Sequence, residues 1–261
     1  MNVGSGVHTV HAGQVGDIPL VWMEPQTTKT RTLVIWLPGF SGTKEAMQPY
    51  LVDLAAAGFV ALSFDPYQHG ERRVESLDEL RERVRGNIRR YFWPILARTA
   101  EDVPRVVDWA VRHLGVAEVA GMGGISAGGD TSVAATAVDP RIAVVAAAIA
   151  TPDWLRPGSF ESPGAPDAAA QACYERRNPL TNLAAYRHTP AISFQNGALD
   201  QQVPPDGSQR FVAALREERY AHCPERLEVV LHEGIAHEFT GTGWTNALAW
   251  FLRHLAPQSG S

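Results

Sequence analysis

Ser126 stands at the centre of Gly124-x-Ser126-x-Gly128, a spacing that could present a nucleophilic hydroxyl. The pattern is typical of a serine on a sharp turn between a strand and a helix, where larger side chains two residues away would clash with backbone. Such a turn exposes the hydroxyl at a helix N-terminus, where backbone N–H groups can receive developing negative charge. These residues predict a serine hydrolase.

The residues on either side of the motif supply the elements that the turn requires. A strand is predicted to begin at Ala117, and the Ala-rich segment 127–138 is typical of a helix packed on a sheet. The alternatives are a glycine-rich loop with an incidental serine, or a dinucleotide fingerprint. The fingerprint fails because its last glycine would fall at residue 126, and the sequence has no G-x-x-x-x-G-K-[ST] phosphate loop.

A serine hydroxyl is a poor nucleophile near neutral pH and needs a base, which a histidine oriented by a carboxylate supplies. Among nine histidines, His237 follows the last predicted strand and precedes the final predicted helix. That loop belongs to the carboxyl edge of the sheet, where ligands bind in open α/β folds. His232, at the end of the strand, is its nearest competitor. His69 could border the site, although a structural role in its turn is as consistent with the sequence.

The carboxylate is best placed at Asp200, in the loop after the penultimate predicted strand, where it can meet His237 at the same sheet edge. Asp153, which follows the preceding strand, is the alternative. An aspartate in a turn often only binds backbone N–H groups, so the choice between the two stays open at this point.

The remaining pattern predicts an α/β fold, because apolar strands alternate with helices as in a parallel sheet covered on both faces. A capping box is predicted at Thr99-x-x-Asp102, with Gly115 as the C-cap of that helix. The predicted helices cover 42–57, 99–114, 127–138 and 245–255, and the predicted strands cover 7–10, 20–23, 32–37, 59–64, 117–120 with the following glycines, 142–150, 190–194 and 227–231.

Two segments interrupt the alternation, at about 71–97 and about 155–188. The first predicts a solvated helix that packs one apolar face on the body, or alternatively a pocket wall formed by Phe92 and Trp93. The second holds prolines and glycines between two strands and predicts a small lid near the active end. Trp154, just before it, is a further pocket candidate.

The size of 261 residues is consistent with one domain over 1–261. A net charge of −5 disfavours nucleic-acid binding. Two cysteines are too few for a metal cluster of the usual spacing. Neither a secretory leader nor a run of 18 apolar residues is visible, so a cytoplasmic protein without membrane partners, monomeric or homodimeric, is expected.

The order Ser126, Asp200, His237 resembles the α/β-hydrolase superfamily. Over about residues 18–256 the chain looks like its dienelactone-hydrolase and prolyl-oligopeptidase-like branch, particularly small bacterial esterases. The acid loop Gly197-x-x-Asp200-x-x-Val203-Pro204 and the base loop Gly234-x-x-His237-x-Phe239 carry the resemblance. Dienelactone hydrolases use a cysteine nucleophile, and the serine at this place favours an esterase.

The resemblance implies a mostly parallel eight-stranded sheet with helices on both faces and a small lid. It also implies an oxyanion hole made by the backbone N–H groups of Phe40 and Ala127, although many relatives carry His-Gly where this chain has Pro38-Gly39. The expected activity is hydrolysis of small or medium acyl esters through an acyl-enzyme, with no metal or organic cofactor. The alternatives are an oligopeptidase-like amide hydrolase, a pathway-specific hydrolase or lyase of a secondary metabolite, and a non-catalytic binding protein of the same fold.

Overall fold

A computed structural model of the chain describes residues 9–26 and 31–255. Within these ranges one sheet is formed by eight strands: β1 (His11–Val15), β2 (Ile18–Met23), β3 (Leu33–Leu37), β4 (Val60–Phe64), β5 (Ala120–Ile125), β6 (Ile142–Ala148), β7 (Ala191–Gly197) and β8 (Leu227–His232). The α-helices of the same ranges are α1 (Gln48–Ala56), α2 (Leu77–Gly86), α3 (Ile88–Leu114), α4 (Ala127–Val138), α5 (Ala168–Arg177), α6 (Asp206–Glu218) and α7 (Gly241–Leu255).

The strand order is β1-β2-β4-β3-β5-β6-β7-β8. The pairs β1–β2 and β2–β4 are antiparallel, and every pair from β4 to β8 is parallel. The predicted mostly parallel, eight-stranded sheet is therefore confirmed. Parallel strands end at one common edge, so the loops after β3, β5, β7 and β8 can contribute to a single site.

Helices cover both faces of the sheet, as the side chains of β3 show, because they point alternately to one face and to the other. Leu33, Ile35 and Leu37 pack into the core cluster that includes the buried faces of α3 and α4. Val34 and Trp36 pack into a second cluster with apolar residues of α1 and α7. A strand buried on both faces needs an unbroken apolar run, which is what the sequence supplies here.

Several predicted boundaries are wrong. The first described strand is His11–Val15 rather than 7–10, of which residues 7 and 8 lie outside the described ranges. Thr99 does not cap a helix, because it lies inside the 27-residue α3, and its hydroxyl donates to the Ile95 carbonyl at 2.7 Å. Gly115 does end that helix in the left-handed conformation, at φ 61°. Helix α6 was not predicted.

The segment 71–97 forms two helices, because the chain is interrupted between α2 and α3 at Asn87. Asn87 is extended (φ −161°, ψ 94°), and its Oδ1 accepts from the Arg90 N–H at 3.0 Å, which caps the new helix. Its Nδ2 donates to the carbonyl of Ala165 at 2.8 Å. The residue at the helix break therefore binds the end of the loop over 155–165. This loop and α5 together make up the second interrupting segment.

Among the described residues, no helix is both long and apolar enough to cross a membrane.

Candidate active site

Ser126 lies in a strained turn between β5 and α4, at φ 53° and ψ −115°. Its N–H donates to the carbonyl of Ala148 at 2.8 Å. A Cβ at Gly124 would come within 2.7 Å of the Leu37 carbonyl oxygen, and one at Gly128 within 2.5 Å of the same atom. Glycine is required on both sides because the turn is pressed against the end of β3. Non-glycine residues in such conformations cluster at functional sites.

His237 links Ser126 to Asp200. The His237 Nε2 is 3.1 Å from the Ser126 Oγ, and its Nδ1 is 2.7 Å from the Asp200 Oδ2. The other oxygen of Asp200 accepts from the backbone N–H groups of Gln202 and Val203, at 2.9 and 2.8 Å. The carboxylate is buried and each oxygen has a partner, so it can hold the imidazole with Nε2 turned to the serine.

The acid and base loops are joined by backbone hydrogen bonds. The Ala198 N–H donates to the His232 carbonyl at 3.0 Å, and the Leu199 N–H donates to the Ile235 carbonyl at 2.8 Å. A Cβ at Gly197 would lie 2.1 Å from the Ala236 carbonyl oxygen. The glycine of the acid loop is therefore explained by the close passage of the base loop.

The competing residues have other partners. Asp153 forms an ion pair with Arg210 at 2.7 Å. His232 is 3.1 Å from the Gln195 Oε1 through its Nε2. His69 is 2.9 Å from the Tyr67 carbonyl oxygen through its Nδ1. The structure thus brings together Ser126, His237 and Asp200, and leaves the alternative acid and base outside this chain of contacts.

The loop after β3 lies directly beside Ser126. A Cβ at Gly39 would be 3.7 Å from the Ser126 Cβ, and the loop is closed by a hydrogen bond from the Gly42 N–H to the Gly39 carbonyl at 3.0 Å. Among the described residues, neither the Phe40 N–H nor the Ala127 N–H donates a hydrogen bond to a protein acceptor. Their role as an oxyanion hole stays a prediction.

The loop after β3 is packed against other aromatic rings through Phe40. The Phe40 ring meets His69 and Phe92 edge-on, at centroid distances of 5.4 and 5.5 Å. Burial lowers the pKa of His69, and its Nε2 has no hydrogen-bond partner among the described residues. His69 is a packed ring beside Phe40, and burial disfavours its charged form.

A cavity of about 530 Å³ opens at Ser126, between α2 and the loop over 155–165. The two interrupting segments therefore form its walls. Its apolar lining comprises Phe40, Val84, Ile88, Phe92 and Phe160, and its polar lining comprises Arg81, Arg85, Arg156, Glu161, Ser162 and Gln202 beside Ser126 itself.

Only one of the three aromatic pocket candidates lines this cavity. Phe92 does so, whereas Trp93 stacks on Tyr174 at a centroid distance of 4.5 Å and donates its indole N–H to the Trp154 carbonyl at 2.9 Å. Trp154 lines a smaller neighbouring cavity. Adjacent helical residues point in directions about 100° apart, which is why Phe92 and Trp93 cannot share one wall.

An ionic network in the wall of the cavity was not found from the sequence. Arg156, at φ 48°, reaches Asp130 at 2.7 Å and Glu161 at 2.9 Å. Burial by itself would lower the pKa of Arg156, but the two carboxylates outweigh it and raise the pKa. The available signal was Asp130, the charged residue in the otherwise uncharged sequence of α4.

The network also reaches the acid loop. The Gln202 Nε2 donates to Glu161 at 3.1 Å, and the Ser159 hydroxyl donates to the Gln202 carbonyl at 2.8 Å. Since the Gln202 N–H binds Asp200, the wall of the cavity and the carboxylate of the site are held by the same short segment.

Within the described ranges, no three His, Cys, Asp or Glu side chains are grouped so that they could hold a metal ion.

The sheet order, the strained serine between strand and helix, and the acid and base loops after β7 and β8 define an α/β-hydrolase fold. A sequence model of the prolyl oligopeptidase family matches residues 97–258, and the chain belongs to that family. The matched part includes all three residues of the Ser126–His237–Asp200 cluster.

Individual proteins are similar over nearly the whole chain. The esterase YjfP of Escherichia coli (strain K12) is 26% identical over 258 residues, which are 94% of this chain and 99% of the relative. The crystal structure of TT1662 from Thermus thermophilus has a TM-score of 0.77 at 22% identity and covers 97% of this chain and 100% of its own. A thermophilic esterase from Thermogutta terrifontis has a TM-score of 0.63 at 19% identity, over 97% and 95% of the two chains.

Proposed function

We propose that this protein is a serine hydrolase that cleaves carboxylic esters of small or medium acyl groups. The observation that carries the proposal is the continuous contact from the Asp200 carboxylate through His237 to the Ser126 hydroxyl. The name esterase given to the similar protein YjfP supports the choice of ester substrates.

In the proposed reaction, His237 removes the proton of Ser126 as the hydroxyl oxygen attacks the ester carbonyl carbon. The oxyanion of the tetrahedral intermediate accepts hydrogen bonds from the Phe40 and Ala127 N–H groups. The intermediate collapses, the alcohol leaves with the proton from His237, and an acyl group remains on Ser126. A water molecule, deprotonated by His237, then releases the acid and restores the serine.

Amide hydrolysis is the second candidate, because the family match is to prolyl oligopeptidases and the same three residues can cleave amides. A lyase or hydrolase of a secondary metabolite uses the same site with another substrate. A non-catalytic binding protein is disfavoured by the contact distances, since such a protein has no need of an aligned acid, base and nucleophile.

The test combines a covalent probe with paired substrates. A fluorophosphonate should label the wild-type protein and not Ser126→Ala. Turnover of 4-nitrophenyl acetate or butyrate should exceed that of aminoacyl 4-nitroanilides. Labelling that persists in Ser126→Ala would overturn the assignment of the nucleophile, and faster anilide cleavage would replace the esterase by a peptidase.

The cytoplasmic location and the monomeric or homodimeric state are further proposals from the sequence. Cell fractionation and light scattering of the purified protein test them separately from the activity.

A further inference from the structure

Two arginines of α2 line the cavity at Ser126 and are one helical turn apart. Arg81 donates to the Ser41 hydroxyl at 3.2 Å and is 3.6 Å from the exposed carboxylate of Asp78. The Arg85 side chain lines the cavity and makes no hydrogen bond or ion pair within the described part of the chain. Both arginines are exposed, and like charges at i and i+4 on a helix repel each other, so this pair does not stabilise the helix.

The other charges of the cavity do not neutralise Arg85. The carboxylate of Glu161 is already bound by Arg156 at 2.9 Å and by the Gln202 amide at 3.1 Å. The second carboxylate near Arg156, Asp130, is buried behind the wall. The acidic groups on that side therefore have partners inside the protein, whereas Arg85 remains available to a ligand.

A favourable position near the C-terminus of α2 does not explain the orientation of Arg85. Cations are stabilised near a helix C-terminus, and Arg83 occupies the same turn. Arg83, however, is bound by Glu75 and lies over the Tyr91 ring at 4.9 Å, outside the cavity lining. Of the two last-turn arginines, the one without a protein partner is the one at the cavity.

The cavity also has an apolar wall next to this cation. Val84, from the same turn as Arg85, is buried with Ile88 and Phe92, and Phe160 is 71% exposed on the opposite side. An occupant that satisfies both features has an apolar body and a negative charge.

We propose that the ester cleaved at this site carries an acidic group, such as a carboxylate, on the portion that fills the cavity, and that Arg85 is a specificity-determining residue that binds it with help from Arg81. This inference rests on the proposed ester hydrolysis at Ser126. It adds the substrate class, namely amphiphilic anionic esters rather than neutral ones.

Matched substrates test the charge on either side of the ester bond. On the acyl side, mono-4-nitrophenyl adipate is compared with its neutral methyl 4-nitrophenyl diester. On the alcohol side, 4-acetoxybenzoate is compared with methyl 4-acetoxybenzoate. In one of the two pairs, kcat/KM of the wild type should favour the anion by about fivefold, the scale of an exposed charge pair. The preference should shrink in about 1 M salt, where the Debye length is about 3 Å.

The variant Arg85→Gln should remove most of that preference. Arg187→Gln is the matched control, because it changes the net charge equally at an exposed residue that does not line the cavity. Equal kcat/KM for anion and neutral ester in both wild-type pairs would overturn the proposal, as would the same loss of preference in Arg187→Gln and Arg85→Gln.

A binding measurement separates failure of this proposal from failure of the proposed esterase activity. Calorimetry with Ser126→Ala should give tighter binding of 4-acetamidobenzoate than of its methyl ester, and Arg85→Gln in the same background should abolish the difference. If no ester is cleaved but this difference is found, the anion site stands and the esterase proposal fails. If esters are cleaved, but the two ligands bind equally and each pair of substrates gives equal kcat/KM, the esterase proposal stands and the anion site fails.

Discussion

At the scale of single residues, Asp200 shows how one carboxylate performs two tasks. One oxygen accepts the N–H groups of Gln202 and Val203, which fixes the side chain, and the other faces the His237 Nδ1 at 2.7 Å. The first task is that of any aspartate in a turn, and it explains why the sequence left Asp200 and Asp153 as alternatives. The second depends on a contact with a residue 37 positions away.

Exchange of Asp200 for Asn separates these tasks. Asparagine keeps an oxygen for the backbone N–H groups, but its NH₂ group faces the His237 Nδ1 and favours the wrong tautomer. We expect kcat to fall by about 10⁴-fold, as for other serine triads, with little change in the melting temperature. Steady-state kinetics measure kcat, and calorimetry measures the melting temperature.

The matched control is Asp153→Asn, which weakens the contact with Arg210. It should reduce kcat by less than about threefold, since Asp153 contacts Arg210 and the Leu155 N–H rather than His237, and asparagine keeps an oxygen for that N–H. If Asp153→Asn is the damaging exchange and Asp200→Asn is active, the assignment of the acid is reversed.

At the scale of elements, the sequence predicted the parts whose signal is local. The apolar run of β3, the strand–serine–helix turn around Ser126 and the final helix each follow from short-range pattern, and the structure contains all three. The carboxyl-edge rule also placed His237 and Asp200 in two loops that meet, and the structure brings both residues together with Ser126.

The parts that were missed depend on contacts between segments distant in the sequence. The periodicity of 71–97 continues across Asn87, where the structure has a helix break: the Asn87 side chain caps α3 and also binds the Ala165 carbonyl in another segment. Trp93 was a pocket candidate by composition, yet its indole is used to hold the Trp154 carbonyl. Arg156 itself gave no signal, because its two acidic partners come from a helix and a loop with no common spacing. The available signal lay in Asp130, its partner in the otherwise uncharged α4.

The Asp130–Arg156 contact makes a prediction at this scale, because it joins α4, which begins directly after Ser126, to the cavity wall. Arg156→Met leaves the buried Asp130 carboxylate without its cation, and such a loss typically costs about 3–5 kcal/mol. The double variant Asp130→Asn/Arg156→Met should recover at least half of it, because asparagine still accepts the Thr151 N–H that Asp130 binds at 2.7 Å.

Urea unfolding of the two variants measures this difference in the free energy of unfolding. Equal values for the single and double variants would mean that the Asp130 charge is not what destabilises the protein. Lower esterase activity in both variants, with normal stability in the double variant, would instead locate the effect in the shape of the cavity wall.

At the scale of the whole molecule, burial lowers the pKa of three histidines in different parts of the structure: His69, His188 and His254. Above the unfolded-state pKa of about 6.5, these rings are neutral in both states and do not affect the equilibrium. As the pH falls below that value, the unfolded chain binds protons before the folded protein does. The contribution of these three histidines to the free energy of unfolding therefore decreases with falling pH, down to their lower pKa values in the folded state.

The contribution of His69 can be isolated by His69→Asn, in which the amide nitrogen replaces the Nδ1 donor to the Tyr67 carbonyl. Between about pH 7.5 and 5.5, around the ordinary histidine pKa, the wild type should lose more stability than His69→Asn, as measured by urea unfolding at both values.

His113→Asn is the control, because His113 makes the same kind of local contact, to the Trp109 carbonyl at 3.0 Å, on an exposed surface. It should follow the wild type. If His69→Asn also loses stability in parallel with the wild type, protonation of the buried ring beside Phe40 does not contribute to the acid sensitivity of this protein. His188 and His254, which are half-buried, or the carboxylates must then account for it.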